Sequence, residues 1–125
     1  MNLMQGIDHQ EASTLNSSLL GNAGIFATDP AGDSMISVST ETFVELHASR
    51  KFGGQQRSVV IQRVDVTDDL IATAKVVASN DEVHYTYYLG LVKVNGEWMV
   101  QTFLQRSRPK HRGKNYFPFL DGRNV

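Results

Sequence analysis

The chain has 125 residues, 41% of them hydrophobic and 20% charged, and a net charge of −1. That length suits one domain with one core, and the apolar content is far above that of a disordered polymer. With no cysteine, a disulfide scaffold, a thiolate nucleophile and a Cys-bound metal are all excluded.

The opening Met1-Asn2-Leu3-Met4 lacks the basic start and apolar run of an export signal, and no stretch reaches the length of a membrane span. The expectation is therefore a cytoplasmic protein with no membrane partner. Charge is uneven. Arg106, Arg108, Lys110, Arg112 and Lys114 lie within nine residues, leaving the rest of the chain acidic. This divides the sequence into a domain over 1–105 and a basic, then aromatic, tail over 106–125.

In chain order, Asp8 caps a helix through Glu11, Leu15 and Leu19, which Gly21 or Asn22 stops. Ile25 to Thr28 and Met35 to Val38 read as short strands around the turn Asp29-Pro30-Ala31-Gly32-Asp33. Ser39 or Thr40 then caps a second helix, whose apolar stripe of Phe43, Val44 and Leu46 continues to His47 and ends near Arg50 and Lys51. From Arg57 onward, runs rich in β-branched and aromatic residues replace helical spacing. They are Ser58 to Val66, Leu70 to Ala78, Glu82 to Val94 and Trp98 to Gln105. Their short connections require antiparallel neighbours in a meander. Helices first and strands after give an α+β layout in which the helices cover one face of the sheet.

Alternation sorts the strand residues into two faces. In the third run His84, Thr86, Tyr88 and Gly90 share one face, and Tyr85, Tyr87, Leu89 and Leu91 the other. The Asn95-Gly96 turn leaves two registers open. A type I′ turn pairs Val94 with Glu97, whereas a three-residue loop with a Gly bulge pairs Lys93 with Glu97. The second joins opposite charges and is preferred. It sets Trp98, Val100, Thr102 and Leu104 beside His84, and Met99, Phe103 and Gln105 beside Tyr87. In the first two strands Gln62, Val64, Ala72, Ala74 and Val76 group together and read as helix-covered, opposite Arg63, Asp65, Thr73 and Lys75. The helix-covered side, with small Ala72, Ala74 and Gly90, is expected to hold a pocket. The aromatic patch of Tyr85, Tyr87, Leu89, Leu91, Met99 and Phe103 is expected to be a homodimer interface.

The stretches Asp65-Val66-Thr67-Asp68-Asp69, Ala72-Thr73-Ala74-Lys75-Val76 and Tyr85 through Trp98 resemble the putative lumazine-binding family of the nuclear transport factor 2-like (SnoaL-like) superfamily, over most of residues 3 to 104. Those motifs are turn and core positions, so they bear on fold more than on chemistry. The resemblance implies a cone of strongly curved antiparallel sheet wrapped by N-terminal helices, cystatin-like in fold, commonly dimeric, with a pocket at its mouth. Superfamily members include isomerases, dehydratases, cyclases and pure binding domains. This chain departs from the family pattern in lacking a carboxylate on the tyrosine-rich strand beyond Glu82 and in opening with a shorter helix.

For chemistry, a buried base in an apolar pocket is the superfamily device. His84 with Tyr88 is the candidate acid-base pair for a lyase or isomerase acting on an apolar cyclic substrate. Gln62, Thr86, Trp98, Thr102 and Phe26 would line the pocket. The competing reading is a non-catalytic dimeric scaffold with a filled cone. His47 reads as a surface or cap histidine. No metal is expected, because the four histidines show no paired ligand spacing, and no cofactor is expected either. The tail can bind phosphates in principle, but one short basic segment makes nucleic acid the lesser reading beside a solvated arm whose Tyr116 to Leu120 docks on the body or a partner.

Overall fold

A computed structural model describes residues 3–28, 31–32, 34–51 and 53–110. Among the described residues three short helices, two ahead of the first strand and one between the second and third, cover a six-stranded sheet. They are α1 (Leu3–His9), α2 (Ala12–Ser18) and α3 (Thr40–Ala48), with β1 (Leu19–Thr28), β2 (Met35–Val38), β3 (Ser58–Thr67), β4 (Ile71–Ser79), β5 (Val83–Val94) and β6 (Glu97–Pro109). The expected opening helix is two. Gln10 adopts a left-handed backbone (φ 56°), and Glu11 N–H donates to the Gly6 carbonyl, so the chain turns before α2 begins. Asp8 accordingly lies inside α1 and is no cap. No loop follows α2: Leu19, buried, is at once its C-cap and the first residue of β1, so Gly21 and Asn22 are strand residues. Ser39 caps α3 as its sequence predicts, its hydroxyl accepting from Thr42 N–H at 3.1 Å.

The sheet order is β2-β1-β6-β5-β4-β3. Strands β3 to β6 form the expected antiparallel meander. The parallel pairing of β1 with β6, Phe26 opposite Leu104, brings the N-terminal part of the chain into the same sheet. Four residues of the expected tail, 106–109, belong to β6 and pair with β5. The aromatic part of that tail, Tyr116 to Leu120, lies outside the described residues.

At Asn95-Gly96 the two-residue turn is the one formed. Both residues have positive φ, 50° and 81°, and Val94 pairs with Glu97. This is the I′ pattern, whose twist matches that of the strands it joins. The preferred register is therefore corrected, yet only for part of β6. Between Gly90↔Thr102 and Leu91↔Val100 the ladder slips by one residue, at Gln101. That bulge restores the alternation expected for Thr102 to Gln105 and leaves Trp98 and Val100 on the Leu91 side.

The larger correction concerns which side of β5 is buried. Leu89 and Leu91 are core residues with Tyr87, Val100 and Phe103. Strand β4 shows the same choice: Ala74 faces Leu89 and Val76 faces Tyr87, all buried. The helix-covered face of β5 is thus the one expected to meet a partner, and the face expected to hold the pocket is the outer one. The physical reason is burial itself, since Leu89, Leu91 and Phe103 carry far more apolar surface than Thr86, Gly90 and Thr102. On β4 the expectation of helix cover for Ala72, Ala74 and Val76 agrees with the structure. Gln62 and Val64 are exposed instead, because β3 lies at the sheet edge beyond the helices.

Candidate functional site

Between the helices and the inner sheet face lies a cavity of about 370 Å3. Its walls are apolar, from Ile25 on β1, Ile36 and Val38 on β2, Phe43 on α3 and Phe103 on β6. Its polar groups come from segments distant in sequence, among them Asp8 on α1, His47 on α3 with Lys51 beyond it, Gln55 and Arg57 ahead of β3, and Tyr85 and Tyr87 on β5.

Arg57 organises them. Its side chain is 2% exposed, and its Nε donates to Asp8 Oδ1 at 2.6 Å. Nη1 donates to the Tyr87 hydroxyl at 2.5 Å, and Nη2 approaches Met4 Sδ at 3.7 Å. The guanidinium also lies 4.8 Å from the Tyr85 ring centre and 5.6 Å from that of Tyr87. The Tyr85 hydroxyl donates to Gln55 Oε1 at 2.7 Å. A buried cation is tolerable only with such partners. Burial works against the charge of Arg57, but Tyr87 and Asp8 outweigh it and raise its pKa.

The acids of this cluster are pushed towards neutrality. Burial raises the Tyr87 phenol to about 12 against the opposing pull of Arg57, so it stays protonated. The Asp8 carboxyl is also raised by burial, with Arg57 opposing. His47 is buried, and Nδ1 lies 2.8 Å from the Phe43 carbonyl, a contact in which the ring N–H donates. Burial lowers its pKa, which favours the neutral ring. The expectation of a surface or cap histidine there is corrected: the apolar stripe of α3 carries His47 inward, with its ring 4.4 Å from that of Phe43. Gly53 makes this packing possible. It has φ +75°, and a Cβ there would stand 2.2 Å from the Ile7 carbonyl oxygen and 2.6 Å from His47 Cδ2.

None of the residues expected to line a pocket reaches this cavity. His84 sits at a strand end opposite Arg108 on the outer face, and Tyr88 is 52% exposed there. Thr102 is beside Gly90 on the same side. Phe26, Thr86 and Tyr88 do come together, around a shallow outer hollow of about 230 Å3 with Met35 and Leu104. Trp98 packs against the inner core, under Lys93, whose Nζ is 5.4 Å from the ring centre. Gln62 is exposed at an irregularity in β3. Of the expected interface residues, Tyr85, Tyr87 and Phe103 line the cavity, while Leu89 and Leu91 are buried and Met99 is half-buried. Sequence reading missed Asp8, Arg57 and His47 as cavity groups. Only His47 left a signal, its place on the apolar stripe of α3.

Among the described residues no cluster of three or more potential metal ligands occurs, and no helix is long and apolar enough to cross a membrane.

No curated protein matches the chain. Among solved structures it is similar to an NTF2-like protein of unknown function from Shewanella baltica OS155, at 18% identity and TM-score 0.71, covering 84% of both chains. A second NTF2-like protein of unknown function, from Silicibacter pomeroyi DSS-3, matches at 15% identity and TM-score 0.72, over 84% of this chain and 86% of that one. A ketosteroid isomerase-like protein from Erwinia carotovora atroseptica SCRI1043 matches at 12% identity and TM-score 0.64, over 83% and 86%. At these identities the likeness is one of fold. The family profile described as "Putative lumazine-binding" matches residues 2–103. With that match over most of its length, and with the sheet and helices of its NTF2-like neighbours, the chain belongs to the putative lumazine-binding family of NTF2-like proteins.

Proposed function

We propose that this protein binds a small planar ring compound in the inner cavity. The observation that carries the reading is a buried polar floor, Asp8-Arg57-Tyr87, beneath apolar walls in a space of about 370 Å3. That volume falls within the range of small-molecule sites, and a few converging polar groups on an apolar lining are their usual composition. It also supports binding over the alternative of a scaffold with a filled cone.

The chemistry of the floor narrows the ligand. Tyr87 accepts from Arg57 and keeps its own proton, so its hydroxyl can donate to a ring carbonyl or ring nitrogen. Asp8 has a second carboxylate oxygen to accept from a ring N–H. A ring with a carbonyl and an N–H along one edge satisfies both, and Phe43 and Phe103 offer aromatic contact to its body. Lumazine, after which the family is described, has such an edge. If proton transfer on a cyclic substrate occurs, these groups rather than His84 and Tyr88 are placed to carry it, because they face the cavity.

Titration calorimetry with lumazine and related neutral bicyclic compounds tests the reading. The wild type is expected to bind, Tyr87→Phe to bind about tenfold more weakly for the lost hydrogen bond, and Tyr88→Phe to bind as the wild type. No binding by any such ring compound, or equal loss in both variants, sinks the proposal.

A further inference from the structure

The polar groups around Arg57 differ in what each still has to offer a ligand. Tyr85 and Tyr87 alternate on β5, and their rings lie nearly parallel (11°) with centres 6.1 Å apart. Their hydroxyls are used differently. That of Tyr87 accepts from Arg57 Nη1, so its own hydrogen is open, whereas that of Tyr85 gives its hydrogen to Gln55 Oε1. A phenol that donates to an amide oxygen fixes which way round the amide stands. Gln55 Oε1 is thereby occupied, and the N–H2 becomes the group that this half-buried side chain can present. Among the described residues that N–H2 meets no acceptor, and the second oxygen of Asp8 meets no donor.

Around Arg57 the cavity therefore offers two donors, the Tyr87 O–H and the Gln55 N–H2, and one acceptor, Asp8. Burial raises the Tyr87 phenol to about 12, so the first donor is retained at neutral pH. The complement of two donors and one acceptor is a ligand with two acceptors and one donor. We propose that the cavity selects cyclic imides, rings in which an N–H stands between two carbonyls, and that Gln55 reads the second carbonyl. This selection rests on ring binding in the cavity and adds a requirement that Tyr87 and Asp8 alone do not impose. A lactam has one carbonyl and leaves one donor without a partner. An amino group in place of the second carbonyl sets N–H against a donor. A polar group left unpaired or opposed costs affinity, which is how a hydrogen-bonding site rejects a ring of nearly the same shape. Tyr85 is a positioning residue here, since it touches the amide and sets which end faces the ligand.

Three pteridines that differ at one ring carbon test this by titration calorimetry: lumazine with a carbonyl there, pteridin-4-one with hydrogen, and pterin with an amino group. The wild type is expected to bind lumazine about tenfold more tightly than pteridin-4-one, the worth of one hydrogen bond, and pterin more weakly still. Gln55→Leu should bring lumazine down to the level of pteridin-4-one and leave pteridin-4-one unchanged, which also shows that the variant is folded. Gln55→Glu, with an acceptor in place of the donor, should prefer pterin to lumazine. Tyr85→Phe, which frees the amide to turn over, should narrow the preference for lumazine over pterin. Equal binding of all three by the wild type overturns this inference and leaves ring binding standing. So does a preference for lumazine that survives Gln55→Leu. Binding of none of the three overturns both.

Discussion

Tyr87 and Tyr88 are neighbours on one strand, yet the first is 1% exposed and the second 52%. Tyr87 is held by Arg57 and stands over the cavity, with its ring 5.3 Å from that of Phe103. Tyr88 faces outward, with Lys75 Nζ 5.7 Å from its ring centre. The difference teaches that a residue's chemistry here follows from which side of the sheet the helices cover, not from its type. The two faces of β5 can be set against each other by experiment.

The largest contrast is expected at Arg57. Arg57→Ala strands Asp8 in a buried site and should cost about 3–5 kcal/mol, read by urea unfolding. Arg63→Ala, in the exposed pair with Asp65, should cost no more than about 0.5 kcal/mol. Equal effects would mean that the cluster does not organise the inner face. Close behind comes the core. Phe103→Ala should destabilise by about 3–5 kcal/mol, against less than about 1 kcal/mol for Leu104→Ala on the outer side. Tyr87→Phe removes an acceptor from a buried guanidinium and should cost about 1–3 kcal/mol. Tyr88→Phe should leave the unfolding midpoint unchanged.

The smallest effect is a pH dependence. The pKa of His47 is lowered in the folded state, so the unfolded chain binds its proton more readily. Stability through His47 is therefore complete above the ordinary value of 6.5 and falls as pH drops below it. His84, lowered by partial burial and by Arg108 and Lys110, acts in the same direction. Asp8 acts oppositely and lower on the scale, its raised pKa favouring the fold as pH falls into the carboxylate range. Melting temperatures from pH 7.5 to 5.5 should decline, and His47→Asn, whose amide nitrogen can replace Nδ1, should flatten the decline more than His84→Asn. An unchanged slope in His47→Asn would contradict a buried, neutral ring.

Features set by local chemistry were legible in the sequence. Ser39 caps α3 by its own hydroxyl, and short polar turns make β3 to β6 a meander. The burial side of β5 was legible too, since Leu89 and Leu91 outweigh Thr86 and Gly90 in apolar area. Small residues such as Gly90 point to a pocket on the other side, and the larger apolar area of the leucines overrides them. At Asn95-Gly96 two local deviations act together on the faces of β6, the I′ turn shifting the pairing by one residue and the bulge at Gln101 by one more, so that Thr102 to Gln105 regain the expected alternation. Asp8 and Arg57 left no mark, because their meaning depends on partners 49 residues apart for the ion pair and 30 apart for the tyrosine. No spacing rule reaches that far.

The parallel junction of β1 with β6 carries a consequence for how the chain acquires its shape. The meander from β3 to β5 can assemble from neighbours as it is made, but β1 borders only β2 and β6, and its Phe26 must wait for Leu104. The N-terminal strands therefore gain their principal sheet neighbour only when β6, the last strand of the described residues, is in place. Closing that distant seam, a step of high contact order, would set the pace of maturation.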